Sequence, residues 1–203
     1  MHNSQFLIPF CGRPNAGKSS LISVLSGKKV SVGRAPGTTR SISIIPIYRN
    51  ISFLDMPGFG KTKHSRRFTE LTKTKLVRYL EVNSSKFLCS VLVIDITTFP
   101  LVCVNLERKG IIPLDIEFAR FLLELTNSDE IPGNVIVAIN KIDRLDSREQ
   151  KRNLAIVSEK LPSNVHIFPI SCKTKKGIRE IRNRLKDVTT GKLGPRYQAF
   201  LTY

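Results

Sequence analysis

The chain alternates short apolar runs with longer stretches in which apolar residues recur every three or four positions. Continuous or alternating apolar patterns predict six strands, over 6–12, 41–49, 51–56, 89–96, 134–140 and 166–171. Helical patterns predict helices near 18–26, over roughly 65–82, across 118–125, from Ser147 and over 178–188. Ser147 and Gln150 resemble a capping box. The tight Arg49-Asn50 connection predicts that the second and third strands pair antiparallel.

This order of elements predicts a three-layer α/β fold. Its centre is a six-stranded, mostly parallel sheet with one antiparallel strand, flanked by helices. The 203 residues suffice for one domain with a sizeable core. Ligands bind such sheets at the carboxyl ends of the strands. The candidate site segments are therefore 12–19, 55–58, 140–143 and 171–173.

Two further segments lie outside the predicted strands and helices. The stretch 97–113 is expected to form an insertion-like loop that packs near the helix over 65–82. The tail 189–203 contains Gly and Pro, and its pattern leaves open whether it is docked or mobile. We predict a main domain over 1–188 and a basic C-terminal extension over 189–203.

The composition excludes several classes of protein. No stretch reaches about 18 uncharged apolar residues, so no transmembrane helix is predicted. The N-terminus lacks the charged start and apolar run of a secretory signal. No CxxC pair occurs, which favours reduced thiols over disulfides or a zinc site and fits a cytoplasmic protein. The four cysteines are Cys11, Cys89, Cys103 and Cys172.

The net charge points to a polyanionic partner. The chain has 33 Lys and Arg against 16 Asp and Glu, a formal charge of +17. The positive charge is concentrated in residues 60–80 and 173–203. On the last predicted helix, Arg179, Arg182 and Lys186 share a face opposite the apolar one. A solvated basic surface with no specific partner is the alternative.

The residues Gly12-Arg-Pro-Asn-Ala-Gly-Lys-Ser19 match the phosphate-binding pattern GxxxxGK[ST] between a predicted strand and a predicted helix. Backbone N–H groups of such a loop cradle phosphates, helped by the N-terminus of the helix. Gly17 permits close approach of the backbone, Lys18 reaches the β- and γ-phosphates, and Ser19 offers its hydroxyl to Mg²⁺.

Three motifs follow at the next strand ends. In Asp55-Met-Pro-Gly58, Asp55 can hold Mg²⁺ through water and Gly58 can give its N–H to the γ-phosphate. In Asn140-Lys-Ile-Asp143, Asp143 can accept from the ring N–H and the exocyclic amine of guanine, Lys141 can lie along the base, and Asn140 can tie this loop to the phosphate loop. In Ser171-Cys-Lys173, the backbone N–H of Cys172 would meet the guanine carbonyl.

A threonine in Pro36-Gly-Thr-Thr-Arg40 can complete the Mg²⁺ shell only when γ-phosphate is present, which makes an order–disorder switch. The full set of predicted nucleotide contacts is Gly12, Asn15, Ala16, Gly17, Lys18, Ser19, Ser20, Gly37, Thr38, Thr39, Asp55, Gly58, Asn140, Lys141, Asp143, Ser171, Cys172 and Lys173.

In this order, GRPNAGKSS, PGTTR, DMPG, NKID and SCK resemble the TrmE–Era–EngA–EngB–septin group of GTPases, and within it the EngB branch in its archaeal form. Supporting stretches are DMPGFG, VRYLE and LVIDITTF with ERKGIIPLDIEF. The resemblance covers roughly residues 6–188. The sequence departs from the usual EngB pattern at three positions. Pro14 replaces the usual Ser, and Thr38 replaces the Arg of bacterial members. Cys172 replaces the Ala of the usual Ser-Ala-Lys motif.

The resemblance implies a P-loop G domain that binds GTP and GDP with Mg²⁺ held by Ser19, Thr39 and Asp55. Family members replace the catalytic glutamine with an apolar residue, here Phe59. Several relatives bind K⁺ through an asparagine that matches Asn15. The implied catalytic residues are therefore Lys18, Asn15 and Thr39.

The resemblance also implies slow GTP hydrolysis coupled to assembly of the large ribosomal subunit, and a need for the protein in normal cell division and septation. Ribosomal RNA is the expected partner, with no membrane and no sequence-specific DNA. Three alternatives remain: a nucleotide-dependent RNA-binding module with vestigial hydrolysis, a P-loop phosphotransferase acting on a small molecule, and a GTPase of tRNA modification.

Overall fold

The structure is a computed structural model that describes residues 5–30, 41–59, 66–126 and 134–202. Its strands are β1 (Phe6–Gly12), β2 (Ser43–Tyr48), β3 (Ile51–Asp55), β4 (Ser90–Asp95), β5 (Val135–Asn140) and β6 (His166–Pro169). Its helices are α1 (Lys18–Ser26), α2 (Arg66–Asn83), α3 (Phe99–Glu107), α4 (Leu114–Thr126), α5 (Ser147–Lys160) and α6 (Ile178–Leu193). Gly37, Thr38 and Thr39 lie outside the described residues, together with the rest of the stretch 31–40.

The six strands form one sheet in the order β2-β3-β1-β4-β5-β6. Every neighbouring pair is parallel except β2 and β3, so the predicted fold class is confirmed. The antiparallel strand β2 lies at the sheet edge and contains Pro46, a residue that lacks the N–H needed in a central strand. The central strands β4 and β5 are buried along almost their whole length, as their unbroken apolar sequences require.

Helices cover both faces of the sheet. One core cluster joins the sheet to apolar residues of α2, α3, α4 and α5, and the second joins it to α1, α6 and the C-terminal tail. Successive β1 residues point to opposite faces, so Leu7 belongs to the first cluster and Ile8 to the second. No helix among the described residues is long and apolar enough to cross a membrane.

Two local predictions are wrong. The expected loop over 97–113 contains helix α3, with Pro100 in its first turn and Phe99 and Cys103 buried in the core. Proline fits there because the first helical N–H groups need no partner within the helix. The capping box of α5 uses Asp146 and Glu149, one residue before the predicted pair. Asp146 accepts from the Glu149 N–H, and the Glu149 side chain accepts from the Asp146 N–H.

The C-terminal tail is docked. Helix α6 continues through residue 188 to Leu193, and Tyr197, Phe200 and Leu201 are buried. Phe200 makes an edge contact with Phe53 of β3 at 6.2 Å between ring centroids, and the Tyr197 hydroxyl donates to Asn50 Oδ1 at 2.7 Å. These contacts hold the tail against the β2–β3 hairpin and complete the second core cluster. The division into two domains at residue 188 stays a prediction.

Replacing Phe200 with alanine should lower the free energy of unfolding by about 3 to 5 kcal/mol, because it leaves a cavity in a fully buried site. Urea denaturation of the full chain would measure this. Gln198→Ala, at an exposed position of the same segment, is the matched control and should change stability little. A Phe200→Ala variant as stable as the control would contradict the docked tail.

Candidate nucleotide site

The loop between β1 and α1 is closed by Lys18. Its ammonium donates to the carbonyl oxygens of Gly12 at 3.1 Å and Arg13 at 2.9 Å. Burial lowers the pKa of Lys18 to about 8, against the opposing effect of Asp55. A buried cation whose partners are neutral carbonyls has a strong electrostatic preference for an anion. The loop is therefore suited to a phosphate group that would take over the lysine contacts.

A single amide connects this loop to two others. Asn140, at the end of β5, donates from Nδ2 to the Ala16 carbonyl at 2.9 Å, and its Oδ1 accepts from the Cys172 N–H at 3.2 Å. Asn140 is buried, and these bonds satisfy both ends of its side chain. The segments after β1, β5 and β6 are thus held in one arrangement.

Gly17 makes this connection sterically possible. A Cβ on Gly17 would lie 2.1 Å from Asn140 Nδ2, and its φ of +106° is also unfavourable for residues with a side chain. The absence of a side chain at Gly17 therefore leaves room for the Asn140 side chain, in addition to the close approach of phosphate predicted from the motif.

The segments after β5 and β6 present a carboxylate to solvent. Asp143 is exposed, and its Oδ1 accepts from the Ser171 hydroxyl at 2.5 Å. Ser171 is fully buried, so it provides a fixed support for one carboxylate oxygen. The Cys172 N–H donates to Asn140 Oδ1, a buried amide oxygen that needs a donor. Its contact with a guanine carbonyl stays a prediction.

Lys141 is positioned by an aspartate that sequence reasoning missed. Its ammonium pairs with Asp95 Oδ2 at 2.5 Å, and its backbone adopts a left-handed conformation with a φ of +69°. Asp95 is the last residue of β4, next to Asn140 in the parallel register. The sequence did contain a signal for Asp95. It ends a buried apolar strand that lies between β1 and β5, the strands that precede the phosphate loop and the Asn140 segment.

The proposed Mg²⁺ ligands Ser19 and Asp55 lie in direct contact. The Ser19 hydroxyl donates to Asp55 Oδ2 at 2.5 Å. Asp55 Oδ1 is buried and has no hydrogen-bond partner among the described residues. Burial raises the pKa of Asp55, while the Ser19 bond and Lys18 oppose this shift. An unsatisfied buried carboxylate oxygen beside a hydroxyl fits a hard divalent cation that also binds phosphate oxygens.

Phe59 is a packing residue in this structure. Its ring is buried and stacks on Phe118 of α4, with centroids 4.3 Å apart, while its N–H donates to the Gly12 carbonyl at 3.2 Å. The preceding Gly58 lies against the phosphate loop, and a Cβ there would be 2.6 Å from the Pro14 nitrogen. An apolar ring cannot form the hydrogen bond that orients an attacking water.

An ion pair of the phosphate loop was also missed. Arg13 Nε donates to Asp115 Oδ2 at 2.5 Å, and Asp115 is almost fully buried in the first turn of α4. Burial raises the pKa of Asp115 and the Arg13 guanidinium lowers it. The two residues are separated by 102 positions, and no sequence motif joins them.

Comparison with known proteins identifies the family. The family model described as 50S ribosome-binding GTPase matches residues 8–141, more than half of the chain. The protein named Probable GTP-binding protein EngB from Pyrococcus horikoshii is 37% identical over 193 residues, which cover 93% of this chain and 86% of the relative. This chain belongs to the EngB family of GTPases.

Solved structures agree with the EngB assignment. A crystal structure of a probable GTP-binding protein EngB matches with a TM-score of 0.77 and 36% identity, covering 91% of this chain and 99% of that one. Era in complex with MgGDPNP and nucleotides 1506–1542 of 16S ribosomal RNA matches with a TM-score of 0.63 and 26% identity, covering 91% of this chain and 56% of that one.

Replacing Gly17 with alanine should weaken GDP binding at least about tenfold, because it forces Asn140 away from the phosphate loop and strains the backbone. Titration calorimetry would measure the affinity. Gly191→Ala is the matched control: it lies in α6 with no atom near an added Cβ, so binding should be unchanged. Normal affinity in Gly17→Ala would contradict the role assigned to the Asn140 contact.

Proposed function

We propose that this EngB-family GTPase is a slow, Mg²⁺-dependent switch that acts in the cytoplasm, in assembly of the large ribosomal subunit, and is needed for normal cell division and septation. The observation that supports it best is the arrangement around Asn140. One amide holds a phosphate loop, with the buried ammonium of Lys18, next to a segment that presents the exposed carboxylate of Asp143.

Specificity for guanine comes from Asp143. Guanine presents a ring N–H and an exocyclic amine side by side, and one carboxylate can accept from both. Adenine has an acceptor at the ring position, so it would leave the carboxylate facing an acceptor, and such mismatches discriminate strongly. The Ser171 hydroxyl holds one carboxylate oxygen in place, and the Asp95 pair holds Lys141 beside the base.

Phosphate binding uses the loop 12–20. In the proposed bound state, Lys18 exchanges its carbonyl partners for the β- and γ-phosphates, and the N–H groups at the start of α1 bind phosphate oxygens. Ser19, Asp55 (through water) and Thr39 would hold Mg²⁺, which would neutralise charge on the β- and γ-phosphates. Gly37, Thr38 and Thr39 form the part of the switch that γ-phosphate orders.

The charge that Phe59 cannot supply comes, in this proposal, from a potassium ion bound by Asn15. Asn15 is exposed at the tip of the phosphate loop and has a φ of +62°, so its side chain is not used in the core. A monovalent cation beside the phosphates stabilises charge that develops in the transition state, as an arginine finger does.

The proposed ribosomal partner is supported by charge and by the family. Of the predicted basic face on α6, Arg182 donates to the Val24 carbonyl and Lys186 to the Thr202 hydroxyl, so both take part in packing. Basic side chains remain exposed at the end of the Ser171-Cys-Lys173 motif and just after it, at Lys173, Lys175, Lys176 and Arg179. Such clusters bind phosphate backbones with little sequence specificity. Of the Lys and Arg residues in the basic stretch 60–80, Lys75 and Arg78 have described side chains, and both are exposed.

The burial of Phe59 also favours a second candidate, a nucleotide-dependent RNA-binding module whose hydrolysis is vestigial. The two functions share nucleotide binding and differ in turnover, which makes turnover the deciding quantity.

GTP turnover should be at least about tenfold faster in KCl than in NaCl, and purified large ribosomal subunits should raise it further. Asn15→Ala should abolish the difference between the two salts. Asn105→Ala, an exposed asparagine on α3, is the matched control and should keep it. Phosphate release under multiple-turnover conditions is the measurement. Tight GTP binding without turnover in either salt, with or without subunits, would support the RNA-binding module instead.

A further inference from the structure

Three segments that lie far apart in the sequence form a closed set of contacts beside the phosphate loop. Arg13 pairs with Asp115 of α4, and one turn further along the same helix Phe118 stacks on Phe59. Asp115 and Phe118 are three residues apart, so they share one face of α4. The set is closed by Gly58, which lies against Pro14 with no room for a side chain.

This geometry makes α4 a common support for two parts of the site. Through Asp115 it holds the first half of the phosphate loop, and through Phe118 it holds the segment that contains Gly58. The second half of the phosphate loop is held independently, by the bond from Asn140 to the Ala16 carbonyl. Loss of the Arg13–Asp115 pair should therefore release residues 13–14 and leave the Asn140 connection intact.

The Arg13 carbonyl adds a direct link to the phosphate-binding groups. It accepts from the Lys18 ammonium at 2.9 Å and from the Ala16 N–H at 3.3 Å. The position of the Arg13 backbone thus affects the lysine and the turn of the loop. The pair with Asp115 is short and charge-assisted, and Asp115 is almost fully buried, so the arginine is fixed more firmly than a surface ion pair would fix it.

We propose that Asp115 is a positioning residue which, through Arg13, sets the spacing between the phosphate loop and Gly58 and so favours GTP over GDP. The proposal rests on the proposed placement of the γ-phosphate between these two segments. GDP has no γ-phosphate and needs only the phosphate loop itself, so it depends little on this spacing. GTP has to contact both segments at once, and its binding and hydrolysis depend on the spacing directly.

Asp115→Asn removes the charge and keeps the size of the side chain. It should weaken binding of a non-hydrolysable GTP analogue about tenfold, as expected for loss of a charge-assisted hydrogen bond, and change GDP binding less than about twofold. Turnover at saturating GTP should fall as well. Glu117→Gln is the matched control, because Glu117 is a second acid in the first turn of α4 but is exposed. It should leave both affinities unchanged.

A double-mutant cycle tests whether Asp115 acts through Arg13. Arg13→Gln, Asp115→Asn and the double variant should weaken binding of the GTP analogue to the same extent, because each breaks the same pair. Additive effects of the two substitutions would overturn the proposal. If Asp115→Asn does not fold, Arg13→Lys gives a milder test, because the Arg13 side chain is 30% exposed. It should also weaken binding of the GTP analogue more than binding of GDP.

The remaining outcomes are also decisive. Equal weakening of GDP and GTP-analogue binding, or a lower melting temperature with an unchanged affinity ratio, would show that the pair is only structural. A wild-type protein that binds GDP but gains nothing from the γ-phosphate would refute the proposed placement of GTP, and this inference with it. Normal discrimination in the wild type and unchanged discrimination in Asp115→Asn would refute this inference alone.

Discussion

The site depends on the side-chain amide of Asn140. It donates to the phosphate loop and accepts from the segment after β6, and its own backbone belongs to the segment after β5. A buried amide with both ends satisfied is costly to break, since either unpaired group would remain out of reach of water. The parallel sheet makes these bonds possible, because it brings the carboxyl ends of β1, β5 and β6 to one edge.

The opposite side of the phosphate loop is held by a different kind of interaction. There an aromatic stack and an ion pair connect it to α4, and the residue after Gly58 contributes a buried ring instead of a polar group. The site thus combines a polar connection through Asn140 with a second connection, through the aromatic stack and the ion pair, that holds the segment containing Gly58.

Much of the fold could be predicted from the sequence because its signals are local. Unbroken apolar runs such as 135–139 have one stable location, the centre of a parallel sheet, and Pro46 is compatible with an edge strand. The phosphate loop and the NKID segment were recognisable because each needs a fixed order of residues within a few positions. Helix α3 was missed because Pro100, in its first turn, interrupts the expected pattern.

The contacts that sequence reasoning missed are those between distant segments. Nothing near Arg13 predicts Asp115, and the position of Asp95 at the end of a buried strand does not by itself predict its pair with Lys141. The docking of Phe200 depends on the shape of the β2–β3 hairpin. The bond from the Cys172 N–H to Asn140 Oδ1 likewise joins residues that are 32 positions apart. Pairing of this kind is decided by tertiary packing, which single-sequence patterns do not encode.

The central claim is that the arrangement held by Asn140 is a guanine-nucleotide pocket. Its most direct test is the affinity of the purified chain for GDP and for ADP, measured by titration calorimetry in the same Mg²⁺ buffer. The account predicts that GDP binds at least about 100-fold more tightly than ADP, because only guanine matches the Asp143 carboxylate. Equal affinities, or binding of neither nucleotide, would contradict it.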